Sequence, residues 1–178
     1  MSYLVRKLSK RENIDAIGQA KDIKNMFADA ATSEFRTKNG TLSTWLIEKI
    51  EDLDEAVLAV VVTSSKIERM DFIIINTDFL DKQELQYDQT YAGKEIAVPD
   101  LQDNHFDIID ITLNKLVNCA CVYREVFQLD GEQGKYIVRY VEGDIKELLK
   151  RAYSESRLDL GKLNKSIKEE LLQALSIS

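Results

Sequence analysis

Apolar positions recur along the chain in two periods, and the switches between them predict interleaved strands and helices. Residues 3–8 read as a short strand. Ser9 and Glu12 have capping-box spacing, and Ile14, Ile17, Ile23, Phe27 and Ala30 follow at roughly helical spacing, with Gly18 inside the stretch weakening the helix signal. Asn39-Gly40 suits a type I′ hairpin turn, because both residues tolerate positive φ. That turn would join residues 34–38 to residues 41–50, where Leu42, Thr44 and Leu46 alternate with Ser43, Trp45 and Ile47. Asp52 with Glu55 opens a second helix through Ser64, although Val60, Val61 and Val62 are β-branched and suit a strand equally well.

The unbroken apolar run within residues 71–76 predicts a central strand covered on both faces. A short helix over 78–85, a polar loop over 86–95 and a short strand over 96–98 follow. Leu113, Leu116, Val117, Ala120, Tyr123 and Phe127 form the clearest helical stripe. Asp130-Gly131 and Gly134 then bound a turn into a strand over 135–142. Gly143-Asp144 starts a helix through Ser154, and a last helix spans 163–175. Helices alternating with strands, together with one hairpin, predict an α+β fold with a mixed sheet and a helical C-terminus.

A length of 178 residues with one proline and seven glycines fits a single globular domain, with a helical appendage from about 157 as the only foreseeable subdivision. The apolar share of 44% supports one substantial core. The longest apolar run, residues 56–62, falls far short of the ~20 residues that span a bilayer, and Arg6-Lys7 interrupts any signal-like start. Cys119 and Cys121 project apart on a helix and cannot readily pair, so they read as buried small hydrophobes. A soluble cytoplasmic protein, without membrane contact, is the expectation.

Net charge is −7, but it is unevenly placed. Residues 51–110 carry fifteen acids against four bases, whereas residues 1–50 carry nine bases against six acids and residues 111–178 carry eleven against ten. The acidic middle segment predicts a basic protein partner and disfavours nucleic acid, though less than the total charge implies, since the flanks are basic.

Candidate chemistry is sparse. A single histidine excludes two-histidine metal motifs, and neither a P-loop nor a GxGxxG turn is present. Gly131 and Gly134 make only a GxxG, which reads as a turn. If residues 100–110 are extended, Asp103, His105 and Asp107 share a face that suits Mg²⁺ or Mn²⁺, or one carboxylate orients His105 as a general base. If they are helical, Asp100, Asp103, Asp107 and Asp110 form a solvated stripe, which is the preferred reading. Asp100 with Asp144 and Lys146 echoes the two acids and lysine of metal-dependent nucleases, with Asp144 also explicable as a helix cap. Arg36 and Ser43 are anion-binding candidates beside the expected hairpin. The leading functional expectation is a non-catalytic protein-interaction module that uses the acidic middle segment and needs no cofactor. The alternative is a metal-dependent hydrolase or nuclease built on residues 100–110.

Overall fold

Most of the elements form as the alternation dictates, and the rest shift for identifiable reasons. The structure, a computed structural model, describes residues 2–37, 39–91 and 93–176. The strands are β1 (Tyr3–Lys7), β2 (Leu42–Ile47), β3 (Met70–Asn76), β4 (Tyr87–Gln89), β5 (His105–Ile108) and β6 (Ile137–Tyr140). The helices are α1 (Arg11–Gly18), α2 (Ala28–Glu34), α3 (Leu53–Thr63), α4 (Thr77–Lys82), α5 (Leu113–Gln133), α6 (Glu142–Ser154) and α7 (Lys165–Ser176).

The six strands form one sheet in the order β4-β5-β2-β1-β3-β6. The fold is α+β, but every neighbouring pair is antiparallel, so the expected mixed sheet is corrected. The reason is topological. β2 and β3 run the same way and are joined through α3, yet β1 lies between them and pairs antiparallel with both. The β–α–β alternation is real, and the inserted strand removes its parallel contact.

Strand alternation sorts the two sheet faces. Leu42, Ile75 and Ile108 point to one face and meet Leu80 of α4 with Cys119, Val122 and Tyr123 of α5. On that same side, Phe35 stacks edge-on against Tyr123 with centroids 4.7 Å apart. The opposite face carries Phe72 and Tyr140, and the Tyr140 hydroxyl donates to Asp54 of α3 at 2.6 Å. Helices therefore cover both faces, and Phe72, Ile73, Ile74 and Ile75 of β3 are fully buried, as the unbroken run predicted. Leu163, Ile167 and Leu171 join the same core cluster, so the C-terminal helix is packed rather than appended.

The hairpin is absent. Residues 28–34 are helical, no strand forms over the described part of 34–38, and Lys38 lies outside the described residues. Asn39 and Gly40 do adopt φ of 58° and 74°, but their turn leads from the end of α2 into β2. Glu34 is claimed by a buried interaction instead: its carboxylate accepts from the Ser9 hydroxyl at 2.6 Å and the Ser9 backbone N–H at 3.0 Å. The same bond takes Ser9 away from its expected capping role, and α1 begins without a side-chain cap.

The first helix ends at Gly18, where the chain presses against the Phe127 ring of α5, and a short 3₁₀ turn (Ile23–Asn25) precedes α2. Residues 60–62 remain helical. The polar stretch read as loop contains the three-residue strand β4, while residues 96–98 are a buried connection rather than a strand. Asp130-Gly131 is not a turn: α5 continues through it and ends at Gly134, whose φ is 63°. Asp130 then accepts from the backbone N–H groups of Tyr136 and Ile137, steering the chain into β6.

Candidate functional site

The polar corner of the sheet lies where β4, β5 and β2 meet. Residues 100–110 are neither wholly extended nor wholly helical: Pro99–Asn104 is a 3₁₀ helix and His105–Ile108 is β5. Register places Ser43 opposite Asp107, Asp107 opposite Asp88, and His105 opposite Trp45, all on one face. Next to this row the ladder continues through the Thr90 N–H, which donates to the His105 carbonyl at 3.0 Å.

His105 is 7% exposed, and both ring nitrogens are engaged. Its Nε2 lies 2.7 Å from Ser43 Oγ; its Nδ1 lies 2.9 Å from Thr90 Oγ1 and 3.2 Å from the Thr90 carbonyl. A carbonyl oxygen only accepts, so Nδ1 carries the proton and Nε2 is left as the acceptor for the Ser43 hydroxyl. Trp45, 4% exposed, packs edge-on against the imidazole with centroids 5.0 Å apart and fixes its plane. Asp107 Oδ1 stands 3.9 Å from Nε2. Ser43 itself is exposed. The Arg6 guanidinium donates to the Ser43 carbonyl at 3.0 Å and to the Glu34 carbonyl at 3.1 Å, holding β2 where its pairing with β1 has ended.

The other sequence candidates are dispersed. Asp100 is bound by Arg157, whose Nε and Nη2 donate to its Oδ2 at 2.9 and 2.6 Å, and the same guanidinium grips Glu55. Those partners, Glu55 first, push the Arg157 proton affinity still higher. Asp144 is the third residue of α6 rather than its cap, and its carboxylate accepts from the Val141 N–H at 2.9 Å. Lys146 faces Glu170 of α7 at 3.8 Å. Asp100, Asp144 and Lys146 thus each serve a different local contact. Asp103 is exposed, and its backbone carbonyl accepts from Gln89 at 2.7 Å. Among the described residues, no three His, Cys, Asp or Glu side chains converge as a metal site would need. Arg36 is exposed, and the arginine beside Ser43 is Arg6. Cys119 is buried, which pushes its thiol up to about 12, far from the range of a reactive thiolate.

The charge asymmetry acquires a partner map. Asp54, Glu55, Glu68, Asp71, Glu95 and Asp100 pair with Arg151, Arg157, Lys7, Arg139, Lys162 and again Arg157, all drawn from the basic flanks. By contrast, Asp78, Asp81, Glu84, Asp88, Asp103 and Asp110 are exposed and form no ion pair with Lys or Arg among the described residues. No protein-family model matches the chain, and no match to it is found among curated proteins or solved structures. No helix among the described residues is long and apolar enough to cross a membrane.

Proposed function

We propose that the chain is a protein-interaction module that docks a basic partner on the acidic stretch running through α4, β4 and β5. The observation that carries this reading is the division of the fifteen acids of residues 51–110. Those paired with the flanks tie separate elements together, whereas among the described residues the acids without a Lys or Arg partner are Glu51 and Asp52 and then a larger group between Asp78 and Asp110, where only Glu95 and Asp100 are paired. Asp88 and Asp107 even stand opposite each other across β4 and β5, where like charges repel and an external cation relieves the strain. β4 is an edge strand of only three residues, too short for strand addition to supply much binding. Charge is therefore the recognition element, and association is steered and salt-sensitive.

The test uses a ten-residue peptide of alternating arginine and serine, titrated into the isotopically labelled chain by NMR. Amides of residues 78–110 are expected to shift, with affinity falling as salt rises. Neutralising Asp81, Asp88 and Asp103 together removes three exposed contacts of about 0.5 kcal/mol each, or roughly tenfold in affinity. Shifts centred on α6 and α7, or affinity indifferent to salt, would overturn the reading.

A further inference from the structure

We propose that Ser43 is a nucleophile toward carboxylic esters, with His105 as its general base. A free serine hydroxyl is a poor nucleophile, and an adjacent base within hydrogen-bond reach is what activates it. Three features of the corner supply that arrangement. The Ser43 Oγ–His105 Nε2 distance is 2.7 Å, within the range for proton transfer. The Thr90 carbonyl, 3.2 Å from Nδ1, fixes the tautomer in which Nε2 is free to take a proton. Asp107 Oδ1, 3.9 Å from Nε2, faces the positive charge that the imidazole acquires when it does. The burial of the pair is also suitably divided: His105 is enclosed and held edge-on by Trp45, while Ser43 is exposed to an incoming reagent.

The chemistry balances with water as the only co-reactant. Ser43 Oγ bonds to the ester carbonyl carbon as its proton passes to His105 Nε2. The bond from that carbon to the leaving oxygen breaks, and the proton moves to the departing alcohol, leaving acyl-Ser43. A water molecule then gives a proton to Nε2 and attacks the acyl carbon, which releases the carboxylic acid as Ser43 Oγ recovers a proton. Asp107 stands opposite Ser43 on β5 and Asp88 lies one strand beyond it on β4, so the acyl donor is neutral or cationic, and anionic esters are repelled. None of this depends on the docking of a basic partner.

The test incubates the whole chain with 4-nitrophenyl acetate and follows nitrophenolate release together with the site of acetylation by peptide mass mapping. Acetylation is expected at Ser43, absent in Ser43→Ala, and about 10²-fold slower in His105→Gln, the lower end for loss of a general base. Far-UV circular dichroism and a cooperative urea transition report whether His105→Gln is folded; if it is not, Ser43→Cys replaces it, and thiol acetylation faster than at Cys121 is the expected result. The 4-nitrophenyl monoester of succinic acid should react severalfold more slowly than the acetate. Acetylation confined to lysines, or equal at Ser43 and other exposed serines, would overturn the nucleophile. Undiminished labelling in folded His105→Gln would overturn the base, and equal rates for the two esters would overturn the substrate class.

Discussion

Replacing Gly18 by alanine adds one methyl group where the Phe127 ring of α5 already stands. On helix propensity alone the change favours folding by at most ~1 kcal/mol, and by less at the last residue of a helix. The geometry points the other way. A Cβ built on the Gly18 backbone falls on three carbons of the Phe127 ring, closer than real Cβ atoms approach anything. Either the ring moves or α1 lifts from α5, and forcing an extra methyl into a packed contact costs ~1–3 kcal/mol. Sterics therefore outweigh propensity, and a net loss of about 1–2 kcal/mol is expected, equivalent to a melting-point drop of roughly 2–8 °C for a chain of this size. Urea unfolding followed through Trp45, the sole tryptophan and a buried one, measures it, with the slope of the transition unchanged. Phe127→Ala opens the space that the new methyl needs. The double variant should accordingly be more stable than the sum of the singles, with a coupling of about 1–3 kcal/mol. Strict additivity, or a Gly18→Ala protein more stable than the parent, would refute the close approach of α1 and α5.

Two further perturbations address the charge framework. Burial pushes the Glu34 carboxyl above its usual 4.5, despite opposing hydrogen bonds from Ser9 and the nearby Arg6 charge. The folded state thus binds that proton more tightly than the unfolded chain, so the contribution of Glu34 is fully present below about 4.5 and fades as pH rises through the folded value. The stability of Glu34→Gln relative to the parent should improve from pH 4 to pH 7, measured by denaturant unfolding at each pH, and a constant difference would contradict the raised affinity. Arg157→Ala removes charge-assisted bonds to both Glu55 and Asp100 from a side chain 26% exposed, and should cost about 1–2 kcal/mol, with the loss reduced in molar salt; an unchanged melting temperature at low salt would show that this bridge contributes nothing.

What was legible in the residues depended on how much of the signal was local. β3 is announced by its own unbroken apolar run, and α5 by a stripe repeated over several turns. β4 is three half-exposed or exposed residues whose only reason to be a strand is the backbone of β5 beside it. The Asn39-Gly40 turn was readable as geometry but not as connectivity, because positive φ serves a helix-to-strand turn as well as a hairpin. Glu34 belongs to a helix and a buried pairing with Ser9, a contact across 25 positions that no short window contains.

The corner behaves in the same way. Ser43 and His105 were each visible as polar residues on patterned segments, yet they entered as parts of different sets. Their meeting depends on the register of β2 with β5 across 62 positions. Thr90 and Arg6 were missed. Arg6 did leave a trace, since strand alternation puts this charged side chain on the face shared by Leu4 and the apolar neighbours of α5. The nuclease set scattered because spacing along the chain carried no information about which side chain or backbone N–H would claim Asp100, Asp144 and Lys146 first, whereas of the metal set His105 and Asp107 stayed together and Asp103 was left on the preceding 3₁₀ turn.

The placement of β1 bears on how the molecule comes together. All five of its residues pair with β3 and the first three also pair with β2, with Val5 aligned to Trp45 on one flank and Ile74 on the other. Removing it would divide the sheet into β4-β5-β2 and β3-β6, with no backbone ladder between the halves. Neither of its neighbours is local, so the loop-closure entropy for both must be met before this strand gains its bonds, which sets a slow, late step in folding. Until then β2 and β3 expose bare edges to other chains, and the interval before β1 docks is when the protein is most prone to associate with itself.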